Sequence, residues 1–421
     1  MTIDDDRFPG LGELDFGDGF FNEPIVGPVS DWATDFDHTD PEWVADPYPI
    51  WDNLRATCPV AHSDRYGGTW LPTRHADVAA VAYDTENFTS RSVLVTNNRP
   101  PLELAPVGIA APISSDPPFH HKSRRILLPA FSPQAIAKLE PGTRAYCHEL
   151  IDAMGDRDVV DAAADYAQFI PVRVISDMLG FPQADGDIMR GFVHDILEGV
   201  AAPNEERINA LIRVFEYLRT QIIDHLDNPR EDLTTYLINS ELDGQPLDPL
   251  QIGGTMSLLM LAGIDTTWSA IGASIWHLAD NPADRTRLVA EPELLPTAME
   301  EFLRAYAPVT MARLVKHDMD WNGCPMKAED WVLLSFPSAN RDPDAFDDAD
   351  QVQIDREVNR HAAFGLGIHR CLGSHLARME LRVALEVWLE RFPEFSLADP
   401  GQVTWSAGQV RGPRTLPVRV R

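Results

Sequence analysis

With 421 residues, 44% of them hydrophobic, the chain is long enough to bury a large core. A net charge of −30 opposes binding to nucleic acid or to an anionic membrane surface. Cys58, Cys147, Cys324 and Cys371 lie far apart with no CxxC pair, which argues against a disulfide framework or a structural zinc site and points to a reducing cytoplasm.

The N-terminal MTIDDDRFPG has no basic region followed by an apolar run. The longest apolar run, LLMLAGI at 258–264, is far shorter than a membrane span, so neither a secretion signal nor an anchor is expected. Residues 1–50 hold thirteen Asp and Glu against one basic residue, Arg7, and residues 1–40 read as an irregular, solvated acidic arm without a catalytic role. Helical spacing begins in DPYPIWDNLRAT, with Ile50, Leu54 and Ala56 on one side, and returns in HADVAAVAYD (75–84). Between them GGTWLPT (67–73) reads as a short strand.

From about residue 134 helices dominate, with 3.6-residue periodicity over 134–153, 162–179, 185–200, 205–226, 248–280 and 292–306. Strands come late, at 312–322, 331–336 and the C-terminal RTLPVRVR. No internal repeat and no linker interrupts this order. The expectation is one mainly α domain with small β-sheets over residues 41–421, preceded by the arm.

The stretch AAFGLGIHRCLGSHLARMEL (362–381) carries the densest chemistry. Gly365, Gly367 and Gly373 surround Cys371, after which Leu376, Ala377, Met379, Leu381, Ala384 and Val387 continue as an amphipathic helix. A sulfur near a helix N-terminus meets free N–H groups and the positive end of the helix dipole, which favour a thiolate. From the loop alone three readings stand: a buried small hydrophobe, a nucleophile with His369 or His375 as base, or a metal ligand.

The pattern FGxGxHxCxG, spelled by Phe364, Gly365, Gly367, His369, Cys371 and Gly373, resembles the haem-binding loop of the cytochrome P450 family. EFLR (301–304) resembles its ExxR element, LAGIDTT (261–267) its central-helix motif, and DPPFHHKSRR (116–125) its HxxxR segment. ANRDPDAF (339–346) and NRHAAFG (359–365) fit the same order, so the resemblance covers roughly residues 40–421. The wording is similar to soluble bacterial members, including haem domains fused to a reductase, but no attached reductase is expected here.

The resemblance implies the P450 fold, haem b as cofactor and Cys371 as the iron ligand. His369, His120, Arg124 and Arg313 become candidates to neutralise the haem propionates, since buried carboxylates need cationic partners. Phe364, Gly365 and Gly373 shape the loop. Gly263 is expected to widen the central helix locally and leave a groove for O₂, with Thr266 and Asp265 relaying protons. Glu301 and Arg304, one helical turn apart, are expected to be buried and to pin the cysteine loop. The arginine that usually joins them aligns with Gln351, with His361 or Arg360 as the substitutes.

Four segments are expected to form the substrate pocket: 92–112, 189–203, the region around Met260–Thr267, and 309–311. They are mostly apolar, which implies a small hydrophobic substrate, with Asn97, Asn98, Arg99 and His194 as possible polar readers. Residues 120–125 and 356–382 hold eight Lys and Arg against two acids, a local basic face suited to an acidic ferredoxin or flavodoxin. The implied activity is O₂-dependent hydroxylation or dealkylation, with electrons from NAD(P)H, by a cytoplasmic monomer that binds no nucleic acid or membrane. The alternatives are a peroxide-driven peroxygenase, a non-catalytic haem-binding protein, and a thiol hydrolase using Cys371.

Overall fold

A computed structural model describes residues 25–102, 105–198 and 204–421. Its axis is the central helix Pro249–Asp280, 32 residues and thus about 48 Å long. Asp248 and Gln251 form a reciprocal capping box at its start, with Pro249 in the first turn, and the chain leaves helical geometry at Asn281, before Pro282. This helix is long and apolar enough to cross a membrane by length and composition, yet its most apolar window is 61% buried within the protein. It is enclosed by the helices Phe169–Leu179, Asn204–Asp227 and Ser374–Arg391, which accounts for a sequence apolar on nearly every side.

The helical periodicities are realised with breaks at their ends. The 134–153 stretch divides into Pro133–Ala137 and Glu140–Met154, where Pro141 opens the second helix. A π-turn, Ala163–Ala167, precedes Phe169–Leu179, and another, His194–Glu198, follows Gly186–Val193. Residues 292–306 become a 3₁₀ turn and the helix Leu295–Ala305. The helix Pro282–Ala290 lies where none was expected.

The main sheet has five short strands in the order Val60–Ser63, Thr69–Pro72, Trp331–Ser335, Thr310–Val315 and Phe88–Thr89. All neighbours are antiparallel except Trp331–Ser335 against Thr69–Pro72. The stretch 312–322 is therefore two elements. Thr310–Val315 belongs to this sheet, whereas Met319–Trp321 turns back on Cys324–Met326 through Asn322 and Gly323, both at positive φ.

The N-terminal arm corrects the expected boundary at residue 41. Phe36 is 1% exposed and packs with Trp43, Trp51 and Trp331, so the described part of the arm belongs to the folded unit. Arg65 holds it there, donating to the carbonyls of Ile25, Gly27 and Pro28 and pairing with Asp35 at 2.8 Å and Asp37 at 3.3 Å. The acidic composition hides this because the charges of Asp35 and Asp37 face one buried guanidinium rather than water. In the first long helix, Ile50, Trp51 and Leu54 turn inward while Ala56 is exposed.

Candidate active site

The central helix, the cysteine loop and the strand Thr310–Val315 line a cavity of about 210 Å³. Ala262, Gly263 and Thr266 form one part of its wall, and Phe364, Gly365, His369, Cys371 and Gly373 another. Residues a hundred positions apart thus meet across one space.

The cysteine loop is held by its own backbone. Cys371 N–H donates to the Phe364 carbonyl at 2.7 Å, closing the loop just before the helix Ser374–Arg391. Gly367 sits at φ +68°, and a Cβ there would come within 2.4 Å of the Ala82 carbonyl oxygen, so only glycine lets the loop pass the helix His75–Tyr83. Phe364 lies under the Arg378 guanidinium, 4.3 Å away. Burial pushes the Cys371 thiol above its ordinary pKa, against the Gly373 N–H and the charges of Arg124, Arg370 and Arg378. The helix end alone therefore does not yield the thiolate that the sequence suggested; a coordinated cation deprotonates such a thiol outright.

Beside the sulfur, four basic side chains converge. His120 is 1% exposed and its Nε2 has no hydrogen-bond partner, while Arg313 is 5% exposed and its Nη1 donates to the Ala312 carbonyl. Arg124 donates to the Arg370 carbonyl at 2.6 Å, and the His120 and His369 rings lie 4.4 Å apart. Burial, with these cationic neighbours, lowers His120 to about 4 and His369 to about 2; burial lowers Arg313 to about 10. Such a cluster is suited to an anion with two carboxylates entering from the cavity, so these residues fit the propionate side of a haem. Ser90, which the sequence reading missed, holds His369 Nε2 at 2.9 Å, and its own N–H donates to Asp116.

The central helix shows two departures from expectation. It runs unbroken through Gly263, and the space of the absent side chain is taken by Ile175, whose Cδ1 would lie 2.4 Å from a Cβ. Glycine here serves close helix packing as well as exposing backbone to the cavity. Thr266 faces the cavity and donates to the Ala262 carbonyl at 2.8 Å, leaving its oxygen lone pairs as acceptors. Asp265, one residue earlier and rotated about 100° around the helix, is fully buried away from the cavity and pairs with Arg414 at 2.6 Å. Burial raises Asp265 to about 6, with Arg414 pulling down and Glu198 pushing up.

Glu301 and Arg304 are both 0% exposed and form a two-pronged pair at 2.8 Å. The third member is Arg356, 3.0 Å from Glu301 Oε2, joined by Asn359 at 3.0 Å. Gln351 contributes only its carbonyl, to Arg304; His361 pairs with Glu300, and Arg360 is exposed. This settles the substitute for the usual arginine differently from the sequence reading.

The pocket segments are also redistributed. Val93, Pro112, Leu258, Leu259, Val309 and Met311 line the cavity as expected, but no described residue of 189–198 does, and Ile175 takes that side. Residues 199–203 of that segment lie outside the described residues. None of the four polar candidates reaches the cavity wall. Arg99 is spent on the carbonyls of Tyr66, Gly67 and Glu329, and His194 is 71% exposed on the surface.

A half-buried cysteine, a cluster of basic side chains and a helix-borne alcohol thus surround one cavity, a constellation suited to a prosthetic group carrying carboxylates. Residues 187–404 match the sequence model of the cytochrome P450 family. The chain is 36% identical over 379 residues to mycinamicin IV hydroxylase/epoxidase of Micromonospora griseorubida, covering 87% of this chain and 93% of that one. It is likewise 36% identical over 383 residues to nocardicin C N-oxygenase of Nocardia uniformis subsp. tsuyamanensis, covering 89% and 95%. The solved structure of the Bacillus subtilis polyketide synthase cytochrome P450 PksS superposes with a TM-score of 0.82 at 29% identity, over 91% of this chain and 99% of that one. The chain belongs to the cytochrome P450 family. It is a monooxygenase of that fold, and members of the family bind haem b.

Proposed function

We propose that this enzyme uses O₂ to hydroxylate or dealkylate a small hydrophobic molecule, with Cys371 as the residue that would hold the haem iron. The observation that carries this reading is the single cavity onto which Cys371, His369, Arg313 and Thr266 all open. Bound haem supplies the reductive activation of O₂ to an oxidant able to attack a C–H bond. The protein's part is to hold the group by Cys371 and by His120, Arg124, Arg313 and His369, and to shape the loop with Phe364, Gly365 and Gly373. The aliphatic wall of Val93, Ile113, Ile175, Leu258 and Val309 excludes water and orients substrate by shape. Thr266 accepts a hydrogen bond from a proton donor in the cavity, Gly263 exposes backbone beside it, and Asp265 resupplies the proton.

The test is the absorption spectrum of the reduced, carbon-monoxide-bound protein. A red-shifted thiolate-type band is expected, and a colourless protein after haem supplementation would refute the reading. Thr266→Ala is expected to leave that band intact but to divert reducing equivalents, so that NAD(P)H consumption continues while product falls and peroxide accumulates. Unchanged coupling would remove Thr266 from the proton route.

For the electron donor we favour an acidic ferredoxin or flavodoxin on the cysteine side. Of the eight basic residues counted there, Lys122, Arg356, Arg378 and Arg382 are paired with Asp243, Glu301, Glu300 and Glu140. The free charge concentrates on Arg125, Arg360 and Arg370, which are exposed and carry no acid partner among the described residues. Reversing these three to Glu is expected to slow reduction by a ferredoxin at least tenfold at low salt, with the difference shrinking as salt rises. Stopped-flow reduction would check it; a salt-independent defect would argue against this face. The four cysteines are free, which suits the cytoplasm proposed from sequence.

A further inference from the structure

Asp265 sits in a charge cluster assembled from three distant elements. Arg414, on the strand Pro413–Thr415, donates from Nη2 to Asp265 Oδ1 at 2.6 Å, from Nε to Glu198 Oε1 at 2.6 Å and from Nη1 to Ser269 Oγ at 3.1 Å. Its guanidinium lies over the Trp268 ring at 4.1 Å, which fixes its plane. Glu198 closes the π-turn His194–Glu198, and its second oxygen is 3.4 Å from the Nδ1 of surface-exposed His194. Asp265 Oδ2 has no hydrogen-bond partner among the described residues. Two carboxylates therefore compete for one guanidinium, and one of them reaches solvent through a histidine.

We propose that Glu198 and Arg414 are positioning residues that set the proton affinity of Asp265, Arg414 holding it ionised and Glu198 drawing that same guanidinium away. The proposal rests on Asp265 being the acid that resupplies protons. A carboxylate that shuttles protons must exist in both states near working pH. Fully buried without a cation, Asp265 would stay neutral; bound to an undivided guanidinium, it would stay ionised. Division of Arg414 between Asp265 and Glu198 places it between these limits, and the raised value of about 6 agrees in direction. Among the described residues, the charged and titratable side chains facing Asp265 are Arg414 and Glu198, with His194 behind Glu198.

Glu198→Gln removes the competitor, so Arg414 turns wholly to Asp265 and its titration moves down by about one pH unit; Arg414→Gln moves it up by about one to three. The experiment titrates the Asp265 carboxyl by infrared difference spectroscopy in wild type and both variants, alongside the pH profile of product formed per NAD(P)H. Opposite displacements, with Arg414→Lys returning part of the second, support the proposal. Displacements of the same sign, or none, overturn it. Should Arg414→Gln fold poorly, Glu198→Gln and Arg414→Lys carry the same opposed signs. Failure of the monooxygenase reading shows separately, as a missing thiolate-type band in the wild type, while the infrared titration still reads the cluster.

Discussion

Cys371→Ala is expected to erase the thiolate-type band of the reduced carbon-monoxide complex and to bring product formation to background. The sulfur is the only thiol on the cavity wall among the described residues, since none of Cys58, Cys147 and Cys324 lines it. Its burial disfavours a free thiolate, so on the proposed reading a bound iron would be what stabilises the charge. On the proposed reading the alanine variant is expected still to take up haem, because His120, Arg124, Arg313 and His369 remain, but without electron donation from sulfur. Cys147→Ala is the matched control, and its spectrum is expected to be unchanged; a thiolate-type band persisting in Cys371→Ala would assign the ligand elsewhere.

The second large effect falls on stability. Glu301→Ala leaves the guanidinium of Arg304, itself 0% exposed, without its carboxylate, and strips partners from Arg356, Asn359 and the Gln353 N–H. Breaking a buried pair from one side costs about 3–5 kcal/mol, and urea unfolding should show a loss in that range with haem released early. Gln351→Ala is expected to be near neutral, because only its main-chain carbonyl is used. If Gln351→Ala and Glu301→Ala were equally destabilising, the ion-pair account of the loop would fail. Burial pushes Glu301 up, but Arg304, the Gln353 N–H and Arg356 more than offset it, so its pKa lies below the ordinary value. The adjacent Glu300 is held at about 2, burial being outweighed by Arg378 and His361. Both contributions are present above the unfolded carboxylate pKa and are lost as pH falls through the folded values, so this loop should loosen under acid.

Much of this was legible because motifs encode local geometry. Gly367 beside Cys371, Glu301 with Arg304 and His120 with Arg124 are spaced so that helix or loop geometry brings each set together. The large helices were legible from their apolar periodicity, and their broken ends were not, since π-turns such as His194–Glu198 preserve the apolar pattern while shifting the hydrogen bonds. Arg356 was missed because the loop bends it back on Glu301, which alignment to Gln351 could not show. Arg414 carries no sequence signal at all, and neither does Ile175 filling the gap at Gly263. Such contacts depend on tertiary packing between segments whose separation along the chain is arbitrary. The arm misled for a related reason: composition counts the charges of Asp35 and Asp37 but not the one arginine that gathers them.

The tie between Asp265 and Arg414 also gives the molecule a direction in time. The two residues are 149 positions apart, so a ribosome adding about 5–20 residues per second makes Asp265 roughly 7–30 seconds before its counter-charge exists. The charge that meets Asp265 in the core is thus supplied by the strand Pro413–Thr415, so packing of this stretch of the central helix is coupled to docking of a segment made much later.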